Sequence, residues 1–461
     1  MTMSFILVTA LLLLKQSAAN AKDDGLALKP PLGWRSWNLY VGNVHQYELV
    51  AIMNGLVNRT RKNWKGYPVS LCDLGYCDVG LDDTWQACKS PQAAPGMHYH
   101  DAEGNPLINY DRFPSMKNMT DHAKSLGLTA GWYSNNCACN DHCNFTTGEC
   151  EMQIRQDSKA LVDYGYSGLK IDGCGNEKNL TLWDKYLTEF SPKNPILVEH
   201  CDKNDPLLGQ GCPTYHFYRT SVDIRNNYPS IMHNLGTVEP YRATNSSYPG
   251  CWAYADMLQI GVRQGLNIQE TRSHFAGWAI VSSPLILSHD VNDDDVMDRI
   301  WDIIANDEIL AVNQAYFGES GGVYDQANQT VLLESEGASA ISLPEYQYLS
   351  KPIAKNKVAV LLMNSANETR TLTANFTNIP YADCSHDEHG SHCDFLVRDI
   401  WNHSSLGRFR DSWSIDVESH DAAFITLEKL GGMENSRLNE NNKDSKGTRL
   451  GYRTQPAAVV A

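Results

Sequence analysis

Leu169-Lys170-Ile171-Asp172-Gly173-Cys174 is the stretch from which the fold is read. Tyr166 to Ile171 has the composition of a short buried strand, Asp172 stands at its carboxyl end, and Gly173 breaks the run. A charged residue closing a buried strand costs free energy unless it is paired or used. At the C-terminal rim of a parallel barrel, such a residue reads as catalytic. A second carboxylate occupies an equivalent place in Tyr218-Arg219-Thr220-Ser221-Val222-Asp223-Ile224.

Outward from these two runs, short apolar strands alternate with helical stretches, the pattern of an α/β fold built as a (β/α)8 TIM barrel over residues 22–318. The strands are expected to end at Trp37, Asp82, Tyr133, Asp172, Cys201, Asp223, Ile260 and His289. Helices are expected over Gln46 to Asn58, Met116 to Leu126 and Met152 to Tyr164, and one over Asp295 to Asn313 closes the region. Beyond Gly318 the texture changes to short β-rich runs such as Lys357-Val358-Ala359-Val360-Leu361-Leu362, so residues 319–430 read as a C-terminal antiparallel β-sandwich. Residues 431–461 are polar and charged, and are expected to be disordered.

The compartment is read from the first residues. Phe5 to Leu14 is apolar but too short to span a bilayer, and Ala19-Asn20-Ala21 offers a small-residue cleavage site, so residues 1–21 read as a secretory signal peptide. No later segment has the length and apolarity of a membrane span. The 13 cysteines and the nine N-x-S/T triplets, headed by Asn58, Asn118, Asn144, Asn179, Asn245, Asn328, Asn367, Asn375 and Asn402, fit a disulfide-bonded glycoprotein that is secreted or sent to a lysosome or vacuole. Cys137, Cys139, Cys143 and Cys150 have a spacing that could also hold zinc, the poorer reading in an oxidising compartment. The odd cysteine total leaves at least one thiol outside intrachain pairs. A net charge of −16 argues against nucleic acid as a partner.

Strand ends bring together Trp37, Asp82, Asp83, Tyr133, Lys170, Asp172, Asp202, Arg219, Asp223 and Asp256. Carboxylates accept from hydroxyls, cations donate to them, and an aromatic face covers the apolar side of a pyranose, so this is a sugar-binding palette. The bland reading is that a lone Asp after a strand forms a turn or caps a helix, which we assign to Asp163 and Asp205. A calcium loop would need a D-x-D-x-D-G spacing that is absent. His142, His200 and His274 lack metal-ligand spacing, and no G-x-S-x-G elbow supports a Ser-His-Asp triad.

Leu32-Gly33-Trp34-Arg35-Ser36-Trp37-Asn38, Gly80-Leu81-Asp82-Asp83-Thr84-Trp85, Lys170-Ile171-Asp172-Gly173-Cys174, Arg219-Thr220-Ser221-Val222-Asp223-Ile224 and Trp278-Ala279-Ile280-Val281-Ser282-Ser283-Pro284-Leu285 together resemble glycoside hydrolase family 27, the melibiase group of α-galactosidases and α-N-acetylgalactosaminidases. The resemblance runs in order from about Gly25 to Gly318. It implies Asp172 as nucleophile and Asp223 as general acid/base of a retaining α-galactosidase. It implies that Asp82 and Asp83 receive the 4- and 6-hydroxyls, that Lys170 donates to ring hydroxyls and helps hold Asp172 ionised, and that Trp37 and Tyr133 wall the sugar. Arg219 and Asp256 would contact the sugar or steady Asp223. Cys174 would pair with Cys137 or Cys139, and Cys201 with Cys212, while Cys384 and Cys393 are further disulfide candidates.

The implied partners are oligosaccharides, glycolipids or polysaccharides carrying terminal α-galactose, with a homodimer also compatible. The reaction would need no metal and no organic cofactor. Two departures from the family pattern stand out, the first bearing on the substrate and the second on the rim near Arg219. Asp202-Lys203-Asn204-Asp205-Pro206 replaces the usual Glu-Trp run after Cys201, and Pro249-Gly250-Cys251-Trp252-Ala253-Tyr254-Ala255-Asp256 lacks the usual Asn-Asp-Pro. The first favours a free 2-hydroxyl, with α-N-acetylgalactosaminidase and β-L-arabinopyranosidase as rival activities. A non-catalytic galactose-binding protein is the rival from another class.

Overall fold

The computed structural model describes residues 21–202, 208–263, 265–335, 338–382, 384–387 and 390–429. All but the last residue of the expected signal peptide, and the whole expected tail, lie outside the described residues. Eight parallel strands form one sheet: β1 (Leu32–Arg35), β2 (Asp78–Gly80), β3 (Thr129–Ser134), β4 (Gly168–Asp172), β5 (Leu197–Cys201), β6 (Phe217–Arg219), β7 (Trp252–Tyr254) and β8 (Leu285–Leu287). Hydrogen-bonded neighbours run β7-β6-β5-β4-β3-β2-β1-β8. The seam between the two ends is bridged by Leu258 N–H, which donates to Ile286 O at 2.8 Å. Around the strands lie helices α1 (Gln46–Leu56), α2 (Met116–Ser125), α3 (Glu149–Tyr164), α4 (Leu180–Phe190), α5 (Tyr228–Gly236), α6 (Ile268–Ile280), α7 (Asp294–Ile304) and α8 (Asp307–Gln314).

Five strands stop two or more residues before their expected ends, β1 at Arg35 and β2 at Gly80 among them, and the expected closing helix is divided. β6 stops at Arg219, so Asp223 lies on the loop beyond it, and β8 stops at Leu287. β7 stops at Tyr254, well before Ile260, because Asp256 has φ +97°, a conformation that no strand accommodates. The expected single closing helix is α7 and α8, divided where the Asn306 side chain accepts from the N–H groups of Glu308 and Ile309 and so caps a new helix.

The inside of the barrel floor is charged. Arg35 Nη2 pairs with Glu199 Oε2 at 2.8 Å, with both side chains buried. Gly80 makes the room, since a Cβ there would lie 3.1 Å from Arg35 Cζ. Asp78 lies half-buried in the same layer with its Oδ1 out of solvent contact, and desolvation, opposed by Arg35 and reinforced by Glu199, pushes its pKa up to about 6.

Beyond α8 a six-stranded antiparallel sheet runs in the order Ser404–Arg410, Asp394–Asp399, Ala422–Lys429, Lys357–Asn364, Tyr346–Ala354, Gly322–Gln326, and the pair Arg370–Asn375 and Ser412–Val417 covers its outer face. The unbroken apolar run in Lys357–Asn364 follows from burial on both faces. Val358, Val360 and Leu362 join the sandwich core, while Ala359, Leu361 and Met363 join the barrel core. The interface also holds Lys351, whose Nζ donates to Val312 O at 2.5 Å and Asn313 O at 3.1 Å. Burial pushes the pKa of this lysine well below its ordinary value.

Candidate active site

The C-terminal ends of β4, β5 and β6 open into one cleft of about 700 Å³, lined by Asp172, Gly173, Cys174, Cys201, Asp202, Arg219, Ser221, Val222, Asp223 and Arg225. Parallel strands carry their residue ends to one rim, which is why motifs separated by about fifty residues in sequence meet here.

Asp172 is oriented from three sides. Its Oδ2 accepts from the Tyr133 hydroxyl at 2.6 Å, its Oδ1 from Gly173 N–H at 2.7 Å, and its main-chain carbonyl from Asn135 Nδ2. Tyr133 is buried. That burial, together with the negative charge of Asp172, pushes its pKa far up, so its hydroxyl stays a proton donor to the carboxylate. The disulfide Cys137–Cys174 ties the loop after β3 to the loop after β4, beside Asp172.

Lys170 lies two residues before Asp172 and enters the barrel interior, where its Nζ meets Asp82 Oδ2 at 2.9 Å and stands 5.1 Å from the Tyr133 ring centre. Burial works against its charge. Asp82 leads the anions that outweigh burial and raise its pKa, so the ammonium is held on. Asp82 is anchored through its N–H, which donates to Ser36 Oγ at 3.0 Å.

On the opposite wall, Arg219 Nη2 contacts Asp256 Oδ2 at 2.9 Å, Asp223 Oδ1 at 3.0 Å and Ser221 O at 3.1 Å. The two carboxylates sit differently. Asp256 is buried, and its oxygens also accept from Ile224 N–H at 2.8 Å and Met257 N–H at 2.7 Å. Asp223 leaves 91% of its side chain exposed to the cleft. Asp256 therefore holds Arg219 and the backbone of the loop that carries Asp223. Burial pushes its pKa up, against the pull of Arg219. A non-glycine residue at φ +97° stores strain that its surroundings must hold, a common property of site residues.

Other expected residues are placed differently. Four protein N–H donors converge on Asp83: Thr84 N–H and Gln86 Nε2 on Oδ1, Cys137 N–H and Ala138 N–H on Oδ2. Each oxygen of Asp83 thus accepts two hydrogen bonds, and the residue braces the β3 loop. Trp37 packs beside the cluster of Phe217, Trp252, Tyr254, Met257 and Ile286, next to the barrel interior. Asp202 lines the cleft and lies 3.6 Å from Lys178 Nζ.

The disulfides are Cys72–Cys77, Cys88–Cys139, Cys137–Cys174, Cys143–Cys150, Cys212–Cys251 and Cys384–Cys393. This corrects the expected Cys201–Cys212 pair. Cys212 reaches Cys251 instead, and Cys201 is a buried free thiol 3.5 Å from Arg219 Nη1. The four clustered cysteines 137, 139, 143 and 150 are all in disulfides, which removes the zinc reading. Asn135, Ser221, Val222 and Arg225 were missed by the sequence reading. Asn135 immediately follows β3, and the strand-end rule applied one residue further would have found it.

The sequence matches the family described as Alpha galactosidase A over residues 29–315, and the Alpha galactosidase C-terminal beta sandwich domain over residues 344–427. An α-galactosidase from Cyamopsis tetragonoloba is 28% identical over 414 residues, covering 88% of this chain and 87% of that relative. The fold is shared with the α-galactosidase from Saccharomyces cerevisiae, with a TM-score of 0.72 at 18% identity over 89% of this chain and 100% of that one. A β-L-arabinopyranosidase from Geobacillus stearothermophilus is similar at a TM-score of 0.69 and 16% identity, over 88% of this chain and 98% of that one. With a family match spanning most of the barrel and a second on the sandwich, this chain belongs to the alpha galactosidase A family.

Proposed function

We propose that this protein is a retaining α-galactosidase in which Asp172 is the nucleophile and Asp223 the general acid/base. The carrying observation is that both carboxylates line one cleft, each held by a different donor: Tyr133 on Asp172 and Arg219 on Asp223. Asp223 protonates the departing glycosidic oxygen while Asp172 attacks the anomeric carbon and forms a covalent glycosyl-enzyme. Asp223, now a carboxylate, then takes a proton from water as that water displaces Asp172. Two inversions return the starting anomer. The Tyr133 hydroxyl and Gly173 N–H each hold one oxygen of Asp172 and so orient its carboxylate for attack. Asp82, held by Lys170, is the carboxylate we assign to the ring hydroxyls. Asp202 lines the cleft, and its short polar side chain, in the loop to which the family resemblance assigns the C2 substituent, favours a free hydroxyl over an acetamido group.

The six disulfides support a secretory route, and among the described residues no helix is long and apolar enough to cross a membrane. The test of substrate and stereochemistry is a side-by-side assay of aryl α-galactoside, α-N-acetylgalactosaminide and β-L-arabinopyranoside, with proton NMR of the first-formed sugar. Fastest turnover of the first, releasing the α-anomer, is expected. Preference for another glycoside, or initial release of the opposite anomer, would overturn the reading.

A further inference from the structure

Behind the rim lies a second group of ionisable side chains, which the hydrolytic reaction does not use. His100 sits in the loop after β2, Asp141 in the loop after β3, Asp157 on α3 and Glu177 in the loop after β4, and all four are buried. His100 Nδ1 is 2.8 Å from Asp141 Oδ2, Nε2 is 3.1 Å from Asp157 Oδ1, and Glu177 Oε1 lies 3.8 Å from Nδ1. His100, Asp157 and Glu177 each present a ligand atom within 4.8 Å of the other two.

Charge and hydrogen bonding are both unbalanced at this point. Among the described residues, the one cation ion-paired with these three carboxylates is His100. Neither oxygen of Glu177 and only one oxygen of Asp157 accepts a hydrogen bond, and Gln153, one turn before Asp157 on α3, leaves its Oε1 without a donor as well. Buried carboxylate oxygens in this condition are expensive unless a cation or protons reach them. Asp141 is different. It accepts from the N–H groups of His98 and Tyr99 as well as from the imidazole, so it is satisfied and fixes the ring. A carboxylate that holds the second nitrogen of a histidine is the usual support for a metal-ligating imidazole.

We propose that His100 Nε2, Asp157 and Glu177 bind a first-row divalent cation such as Zn2+ or Mn2+, with Asp141 orienting the imidazole. The 3.1 Å between Nε2 and Asp157 Oδ1 suits two donors each about 2.0–2.2 Å from one ion. One imidazole with two carboxylates favours such ions over Ca2+, which prefers an all-oxygen shell of six to eight ligands. The role is structural. The site joins three loops and α3, and Glu177 N–H donates at 3.1 Å to Asn135 Oδ1, the same amide that holds the Asp172 carbonyl. The competing account is neutralisation by protons alone, with burial pushing the Glu177 pKa up to about 8 and His100, despite burial, raised to about 10 by Asp157 and its neighbours.

The test is elemental analysis of the full chain purified without chelators, then refolded with Zn2+ or Mn2+ alone, beside Glu177→Gln and Asp157→Asn. Metal binding predicts about one ion per chain in the wild type and loss of that ion in both variants. Refolding without metal should lower the wild-type Tm by roughly 5 °C and leave the variants unmoved. Wild-type protein that carries no ion after either refolding, with a metal-independent Tm, would overturn the proposal, and Glu177→Gln would then raise the Tm. Should either variant fail to fold, the wild-type stoichiometry and its Tm difference decide alone. None of these readouts needs a substrate, so the outcome is independent of the proposed activity.

Discussion

The barrel interior holds two layers of buried charge, one at its floor and one below its rim, and they behave differently. At the floor, Arg35 and Glu199 pair beside Asp78 in a space without an opening large enough for a ligand. At the rim, Lys170–Asp82 and Arg219–Asp256 have equally close contacts, yet each supports a carboxylate that faces a cleft: Asp172 through Lys170 and Tyr133, Asp223 through Arg219. Buried charge inside a barrel is therefore not itself a sign of chemistry. Access to the cleft separates Asp172 and Asp223 from Glu199, and also from Asp83, whose oxygens brace the β3 loop.

Breaking the rim should affect turnover, and breaking the floor should affect stability. The largest effect is expected for Asp172→Asn, with turnover down on the order of 10⁴-fold or more on every substrate and folding intact, read by steady-state kinetics beside circular dichroism. Asp223→Asn should lose about 10²–10⁴-fold on substrates with poor leaving groups. Its loss should be smaller in the first step with nitrophenyl substrates, which need little protonation, so equal losses on both would argue against the acid role.

At the floor, Glu199→Gln leaves a buried guanidinium without its anion, and a loss of about 3–5 kcal/mol in denaturant-derived stability is expected. The kcat per folded molecule should stay close to wild type. A kcat collapse at unchanged stability would merge the two layers into one functional unit. The smallest effect is a pH slope. With the Asp78 pKa raised from 3.8 to about 6, the folded state keeps a proton that the unfolded chain has lost, so stability declines as pH rises through that window. Asp78→Asn should flatten the decline by at most about 3 kcal/mol, measured as the difference in unfolding free energy between pH 4 and 6.5.

The rim was largely legible in the sequence because each of its motifs is local: a carboxylate directly after a buried run announces itself. The same locality explains what was lost. Asp256 was expected at the site, but its left-handed backbone, which ends β7 early, has no sequence signature in a non-glycine residue. Asp83 sits beside Asp82, and adjacency alone does not show that one turns toward Lys170 and the other toward the β3 loop. Cys201 and Cys212 are close in sequence, yet the partner of Cys212 arrives from just before β7. His100, Asp141, Asp157 and Glu177 come from four separate elements with no fixed spacing, so only the fold assembles them. The Lys357–Asn364 strand was visible as an unbroken apolar run, but its burial on both faces, one against the sandwich core and one against the barrel core, emerges only in the fold.

In the proposed reaction Asp172 forms the covalent bond to the sugar while Asp223 serves the leaving group in the same cleft. Peptide mapping by mass spectrometry after trapping with a slow, fluorinated α-galactosyl substrate tests this most directly. The predicted result is one galactosyl adduct per active chain, on the peptide that carries Asp172, accumulating in wild type and absent in Asp172→Asn. An adduct on any other residue, or full hydrolysis with no covalent species detectable at any time, would contradict it.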